Sequence, residues 1–184
     1  MNQLSNYTVG AIKKFRGHDG YGYSCNLLRN GKKVAEIVED GWGGGLQFHW
    51  VDHKTKATVH TLTYDDKPHS FGGTEEEAIF YAEVMKLTKI SASGNSPEMS
   101  TSPDIVIDDM VNDALTIKKI TADLKKNVTI KCKDGKLLTW KISATHTVDI
   151  LNAHVMKKYP EAKIINSLPI DEVYKIYKEA NVIA

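Results

Sequence analysis

The first 64 residues constrain the fold most, because short segments rich in aromatic and β-branched residues alternate there with turn signals. Segments of this length and composition are typical of β-strands. They run over Tyr7–Phe15, Tyr21–Leu28, Lys33–Asp40, Leu46–His53 and Ala57–Tyr64. The pattern predicts a mainly antiparallel sheet.

One helix is predicted to follow this sheet. Thr74 and Glu77 have capping-box spacing, and the acidic first turn suits the positive end of a helix dipole. Ala78, Ala82 and Met85 recur at helical spacing. The helix is therefore expected to lay one face across the sheet.

The clearest change in composition is the run Ser91–Pro103, which is made mostly of small polar residues with two prolines. Such a run is typical of a linker, since structureless loops longer than roughly 12 residues are uncommon in compact domains. It divides the chain into a first domain over 1–90, a linker over 91–103 and a second domain over 104–184. The alternative is a long surface loop within one domain.

The second domain is predicted to be α+β. Ser102-Pro103-Asp104 is a strong helix start, and apolar residues keep a helical period to about Asn127. The expected elements after it are a β-hairpin, a helix, a strand and a final helix, over Val128–Cys132 and Lys136–Ile142, Val148–Tyr159, Ala162–Asn166, and Pro169–Ala180. The whole chain is thus assigned to the α+β class.

The hairpin register follows from its turn. A three-residue loop Lys133-Asp134-Gly135, with glycine in the left-handed conformation, pairs Val128 with Trp140 and Ile130 with Leu138. This register separates apolar side chains from a second face that carries Thr129, Lys131, Thr139 and Lys141. We expect a basic ribbon on that face.

Composition excludes several function classes. Hydrophobic residues at 41% and charged residues at 26% are near the globular average, which excludes a wholly disordered chain. Lys+Arg 24 against Asp+Glu 23 leaves a net charge of +1, which excludes a generally basic nucleic-acid coat and an acidic DNA mimic. The two cysteines and the lack of a long apolar N-terminal stretch predict a soluble, cytoplasmic protein.

Carboxylates and histidines are predicted to converge around the glycine-rich segment Gly41–Gly45. Glu36, Glu39 and Asp40 leave one strand, and His49 and His53 return on the next. A carboxylate can accept a proton while an imidazole donates one, so the segment is a candidate for general acid–base catalysis. His49 is the candidate acid, on the opposite side of its strand from Trp50.

The turn before this segment decides which acid faces the apolar side. A three-residue loop Arg29–Gly31 would pair Tyr21 with Glu39 and place Glu39 on the apolar face. A two-residue turn at Asn30-Gly31 would place Glu36 there instead. We favour Glu39 as the catalytic base because it borders the glycine loop. On the apolar face it would also be partly removed from water, which raises the pKa of a carboxyl group toward the range of a general base.

No metal site or cofactor is predicted. The chain has no His-x-x-x-His pattern on a helix, and its glycine-rich segment precedes a strand where nucleotide-binding loops require a helix.

Two basic patches are candidates for nucleic-acid binding. Eight lysines lie between Lys118 and Lys141 against only two acids, and lysines on a ribbon can follow a phosphate backbone. The candidate residues in this patch are Lys131, Lys133, Lys136 and Lys141. A smaller patch holds Lys13, Lys14 and Arg16.

The stretch from Lys13 to Trp50, with Gly20-Tyr-Gly-Tyr-Ser-Cys and Gly41-Trp-Gly-Gly-Gly, resembles a small domain of phage and mobile-element proteins. In particular it resembles anti-CRISPR proteins of streptococci and enterococci that act on the type II-A CRISPR effector nuclease. The resemblance covers roughly residues 7–90. The second domain is similar to the extension of one member implicated in truncating the guide RNA.

The resemblance implies an inhibitor that binds the nuclease in the host bacterial cell and promotes truncation of its guide RNA. Glu39 would be the base on a 2′-hydroxyl, while His49 or a group of the nuclease would protonate the leaving oxygen. One alternative is a non-enzymatic inhibitor whose basic hairpin occupies the guide-RNA path. Another is a phage accessory domain with an unrelated protein partner. No membrane and no small-molecule substrate are expected.

Overall fold

The computed structural model describes residues 4–18, 20–54, 56–64, 67–87 and 101–180. Its helices and antiparallel sheets confirm the predicted α+β class. The chain forms two compact units, unit 1 over Met1–Ala114 and unit 2 over Leu115–Ala184.

The division between the units lies inside a helix, α2, which runs over Pro103–Leu124. The predicted first domain ended at residue 90, but the first turns of α2 belong to unit 1, where Val106, Ile107 and Val111 are buried. Most of the predicted linker, residues 91–100, lies outside the described residues. Its last residue, Pro103, begins the helix.

Unit 1 is built on a four-stranded antiparallel sheet in the order β1-β2-β3-β4. Its strands span Tyr7–Arg16, Tyr21–Arg29, Lys32–Glu39 and Gln47–Trp50. The inner face carries the buried residues Cys25, Leu27, Ala35, Ile37 and Trp50, and the side chains of the outer face are exposed or half-buried.

A two-residue turn and a bulge set the register between β2 and β3. Asn30 and Gly31 both have positive φ, at 52° and 78°, as a tight hairpin turn requires. The extra residue Val34 then shifts the pairing, so that Glu39 lies opposite Tyr23. Neither register considered from the sequence is correct, because both omit the bulge.

A second bulge lies in β1. Gly10 pairs with Asn26 but Lys13 pairs with Ser24, so Ala11 and Ile12 oppose one residue of β2. A bulge of this kind moves every later side chain of the strand to the other face.

The remaining strands of unit 1 form a two-stranded ribbon, β5 over Thr58–Tyr64 and β6 over Lys67–Gly73. The sequence predicted β5 and missed β6. The sequence of β6 does not predict a strand, because Pro68 and its polar or small neighbours Lys67, His69 and Ser70 neither alternate in polarity nor favour a strand.

Helix α1, over Glu75–Met85, follows the predicted capping box, with the Glu77 amide donating to Thr74 Oγ1 at 3.2 Å. Its Phe80 is fully buried and meets Tyr7 edge-on at 5.2 Å and Trp50 at 5.9 Å between ring centroids. This aromatic cluster closes the inner face at one end of the sheet.

Unit 2 contains the second half of α2, a three-stranded sheet in the order β8-β7-β9, and two helices. The strands are β7, β8 and β9 over Asn127–Lys131, Leu137–Lys141 and Lys163–Ile164, and the helices are α3 and α4 over Val148–Lys158 and Ile170–Glu179. Val128 pairs with Trp140 and Ile130 with Leu138, and Gly135 has φ 84°, which confirms the predicted turn and register.

None of the helices in the described part of the chain combines the length and the hydrophobicity that a membrane span requires.

Candidate functional site

Glu39 is the last residue of β3 and lies half-buried on the inner face of the unit 1 sheet. It lies on the predicted face, although it pairs with Tyr23 and not with Tyr21. The amide of Gly41 donates a hydrogen bond to Glu39 Oε1 at 3.0 Å. The carboxylate is therefore held at the start of the glycine-rich loop.

A cavity of about 380 Å³ opens over Glu39. Tyr21, Tyr23 and the loop residues Gly44 and Gly45 line it from the sheet side. Asp104 and Asp108, from the first turns of α2, also line it. We name this space the Glu39 cavity.

Tyr23 connects the sheet to α2 at the Glu39 cavity. Its hydroxyl donates to Asp108 Oδ1 at 2.6 Å. Burial, followed by this hydrogen bond, raises the pKa of Tyr23 well above its usual range. The phenol therefore stays protonated and bound to Asp108.

Glycines allow the chain to pass closely beside Glu39. Gly41 has φ 74°, and its backbone contacts that of Gly17 so tightly that a Cβ on Gly41 would lie 2.8 Å from Gly17 Cα. A Cβ on Gly22 would collide with the carbonyl oxygen of Glu39 and with the ring of Phe15. These contacts require glycine and fix the position of the end of β3.

Two cations share the inner face with Glu39. Lys14 pairs with Tyr23, and Arg16 pairs with Tyr21. Since directly opposed residues of antiparallel strands lie on the same face, Lys14, Tyr23 and Glu39 form one row across three strands. The Cα atoms of Lys14 and Glu39 are thus about 10 Å apart, two strand spacings.

The bulge in β1 puts these cations on the inner face. Without it, Lys13 and Phe15 would oppose Tyr23 and Tyr21, and Lys14 would point to the outer face. Ala11 in the bulge has φ 51°, a left-handed conformation that costs a non-glycine residue roughly 1–2 kcal/mol. Bulges are frequent beside active sites, where they redirect side chains.

His49 does not join Glu39. It is exposed on the outer face of β4, where it pairs with Glu36. The carboxylate that lies opposite His49 is therefore that of Glu36 and not that of Glu39. Glu36 and Glu39 lie on opposite faces of β3, and the extra residue Val34 places Glu36 on the outer face. Glu36 is exposed, and its carboxylate forms an ion pair with Lys33 at 3.3 Å.

The Glu39 cavity suits a ribose better than a phosphate. Its carboxylates, from Glu39, Asp104 and Asp108, accept hydrogen bonds from hydroxyl groups and repel phosphate oxygens. Lys14 and Arg16 lie beside it, exposed and without an ion-pair partner among the described residues, where they can bind phosphate.

Over the described ranges, no group of three or more His, Cys, Asp or Glu side chains has an arrangement that could hold a metal ion.

The hairpin lysines of unit 2 are mostly engaged in ion pairs. Lys131 pairs with Glu179 at 2.7 Å, Lys133 with Glu161 at 3.0 Å, and Lys136 with Asp134 at 3.0 Å. Lys141 is exposed at the end of β8, opposite Asn127.

The prediction of a basic ribbon is wrong in part, because core residues cover the face of the β7–β8 hairpin that carries Lys131. Thr129 on this face is buried, and Leu137, opposite Lys131, packs on the core that includes Ile165 and Val173. Within the β7–β8 hairpin, the exposed lysines are Lys133 and Lys136 at the tip and Lys141 at the end of β8.

Sequence reasoning missed Tyr23, Asp104 and Asp108 as site residues. The two aspartates are one helical turn apart on α2 and resemble an ordinary acidic first turn. The only local signal was their spacing of four residues, which places both on one helix face.

Comparisons of the chain with protein-family models, with curated protein sequences and with solved structures return no match.

Proposed function

We propose that this protein is an anti-CRISPR inhibitor that binds the type II CRISPR effector nuclease and inactivates it by promoting truncation of its guide RNA. The resemblance of residues 7–90 supports the choice of partner. The observation that supports the proposed reaction is the row Lys14–Tyr23–Glu39, in which a lysine and a carboxylate lie on one face of the sheet and Tyr23 and Glu39 line the Glu39 cavity.

In the proposed step, Glu39 removes the proton of a guide-RNA 2′-hydroxyl. The 2′-oxygen forms a bond to the adjacent phosphorus while the bond from phosphorus to the 5′-oxygen breaks. The leaving oxygen takes up a proton, and the products are a 2′,3′-cyclic phosphate and a 5′-hydroxyl. Lys14 and Arg16 stabilise the negative charge that grows on the phosphate in the transition state.

The chain by itself offers an incomplete acid–base pair at this site. His49 lies on the outer face, and the hydroxyl of Tyr23 is bound to Asp108. The leaving oxygen must therefore be protonated by the exposed phenol of Tyr21 at the cavity or by a group of the nuclease. This gap supports a reaction that occurs only when the nuclease holds the RNA in place.

The second candidate function is a non-enzymatic inhibitor that blocks guide-RNA loading. One observation favours it: Glu39 and His49 lie on opposite faces, so the expected catalytic pair is not assembled. In that case the solvent-facing lysines and Arg16 bind the nuclease or its RNA without breaking a bond.

The deciding experiment incubates the protein with guide RNA, with and without the nuclease, and separates the RNA on a denaturing gel. We expect shortening only with the nuclease, a cyclic phosphate on the new end, and full activity in EDTA. Inhibition of the nuclease with an intact guide would establish the non-enzymatic alternative. Failure of the protein to bind the nuclease at all would reject both candidates and leave an unrelated partner.

A further inference from the structure

Unit 2 contains a cavity of about 480 Å³ between the tip of the β7–β8 hairpin and the segment that follows α3. We name it the hairpin cavity. Its volume is in the range of small-ligand sites, roughly 300–1,000 Å³. The reaction proposed above makes no use of it.

One side of the hairpin cavity is apolar and aromatic. Leu138, Pro160 and Ala162 line it together with the half-buried Tyr159. The Tyr159 ring contacts Trp140 with centroids 6.0 Å apart. Tyr159 is thus packed against a second aromatic ring that is not part of the cavity lining.

The backbone of Tyr159 is fixed at the end of α3. Its amide donates to the carbonyl of Val155 at 2.7 Å, and its own carbonyl accepts from Ala162 at 3.0 Å. The ring is therefore offered to the cavity by an ordered segment, as a stacking platform requires.

Three lysines surround this aromatic wall. The Lys158 ammonium lies 5.5 Å from the centre of the Tyr159 ring. Lys133 and Lys136 lie on the hairpin side, paired with Glu161 and Asp134; these two acids also line the cavity, so its lining carries one more cation than anion. Exposed ion pairs of this kind contribute little to stability, so either lysine can exchange its carboxylate for a phosphate at small cost.

We propose that the hairpin cavity binds one nucleotide of a single-stranded RNA, with the base against Tyr159 and the flanking phosphates on Lys133, Lys136 and Lys158. Aromatic platforms combined with lysines along the backbone are the recurring means of binding single strands. The proposal rests on the proposed function only for the choice of RNA. The base site itself follows from the cavity.

The test measures binding of a short fluorescein-labelled oligouridine to the full chain, without the nuclease, by fluorescence anisotropy at several salt concentrations. Tyr159→Leu keeps an apolar contact with Trp140 but removes the stacking ring, so binding should weaken about tenfold. Tyr159→Phe should bind like the wild type. Lys158→Ala should weaken binding and lower the salt slope by about one.

Lys175→Ala is the matched control, because Lys175 is an exposed lysine of unit 2 on α4, outside the cavity lining. Circular dichroism of each variant reports whether unit 2 remains folded, and Lys158→Ala decides the result if Tyr159→Leu unfolds. Unchanged binding in Tyr159→Leu and Lys158→Ala, or stronger binding of an RNA duplex than of the single strand, would overturn the proposal.

This test involves no cleavage and no nuclease. Weaker oligouridine binding in the hairpin-cavity variants and slower guide shortening by Glu39→Gln are therefore separate results, and either proposal can fail alone.

Discussion

Glu36 and His49 face each other across β3 and β4, on the opposite side of the sheet from Glu39. A carboxylate and an imidazole are therefore neighbours on the exposed outer face, while the carboxylate with a cavity and nearby cations lies on the inner face. The two glutamates are three residues apart on one strand. Each is the natural control for the other.

Glu39→Gln should slow guide-RNA shortening by roughly 10²–10⁴, the usual cost of removing a general base. The amide keeps an oxygen that can accept the hydrogen bond from the Gly41 amide. Glu36→Gln should shorten the guide like the wild type. Both variants are measured by the initial rate of guide-RNA shortening in the presence of the nuclease, followed on a denaturing gel. The reverse result would move the reaction to the Glu36–His49 pair.

Lys14→Ala should reduce guide shortening and the affinity for the nuclease–guide complex, and Lys13→Ala should change neither. The two lysines are adjacent in sequence and differ in the face they occupy, since Lys14 pairs with Tyr23 and Lys13 with Ser24. We expect Lys14→Ala to lower the salt slope of binding by about one. Equal effects of the two variants would show that only the overall charge of this strand matters.

Gly22→Ala should destabilise unit 1 by roughly 1–3 kcal/mol, the usual cost of overpacking. The added methyl group would strike the Glu39 carbonyl and the Phe15 ring, so guide shortening should fall as well. Gly20→Ala is the control, because its Cβ would meet no atom within 4 Å. Urea denaturation measures both variants. Equal stability of the Gly22→Ala and Gly20→Ala variants would refute the close packing of β2 against the end of β3.

Lys133→Ala combined with Lys136→Ala should lower the salt slope of binding to the nuclease–guide complex by about two, because each lysine neutralises one phosphate. Lys131→Ala should have a smaller effect, because Lys131 is partly covered and bound to Glu179. Binding titrations over a range of salt concentrations test the difference. A larger effect of Lys131→Ala would restore the basic ribbon that the buried face argues against.

Stability should fall at high pH. Burial raises the pKa of the Cys25 thiol from 9.0 to about 11. Above pH 9 the unfolded chain releases this proton while the folded chain keeps it, so the stabilisation is complete below pH 9 and is lost as the pH rises through 11.

Burial, with a smaller contribution from Glu77, likewise raises the pKa of Tyr81 to about 12. The raised pKa of Tyr81 therefore also lowers the stability of the folded chain at high pH. Urea unfolding at a series of pH values from neutral to pH 11 measures the decline in stability. Cys25→Ala should show a shallower decline than the wild type, and an identical decline would exclude Cys25 as a cause.

The sequence predicted the helix starts and one hairpin turn of this fold. Thr74 with Glu77, and Ser102 before Pro103, mark helix starts whose caps form as expected, with Ser102 Oγ accepting from the Ile105 amide at 3.3 Å. Gly135 predicted the turn of the β7–β8 hairpin correctly. Caps and tight turns depend on a few neighbouring residues, so their signals are local.

The site was decided by tertiary structure. Whether Glu39 or Glu36 faces inward depends on one extra residue, Val34, and whether Lys14 or Lys13 faces inward depends on Ala11. A strand has a side-chain period of two, so a single bulge exchanges its faces, and strand composition alone does not locate it. Packing decides where the extra residue goes, because the inner face must bury Cys25, Leu27 and Ile37 under the helices. The sequence therefore determined which residue types lie near the glycine loop, and only packing of the sheet determined which of them share a face.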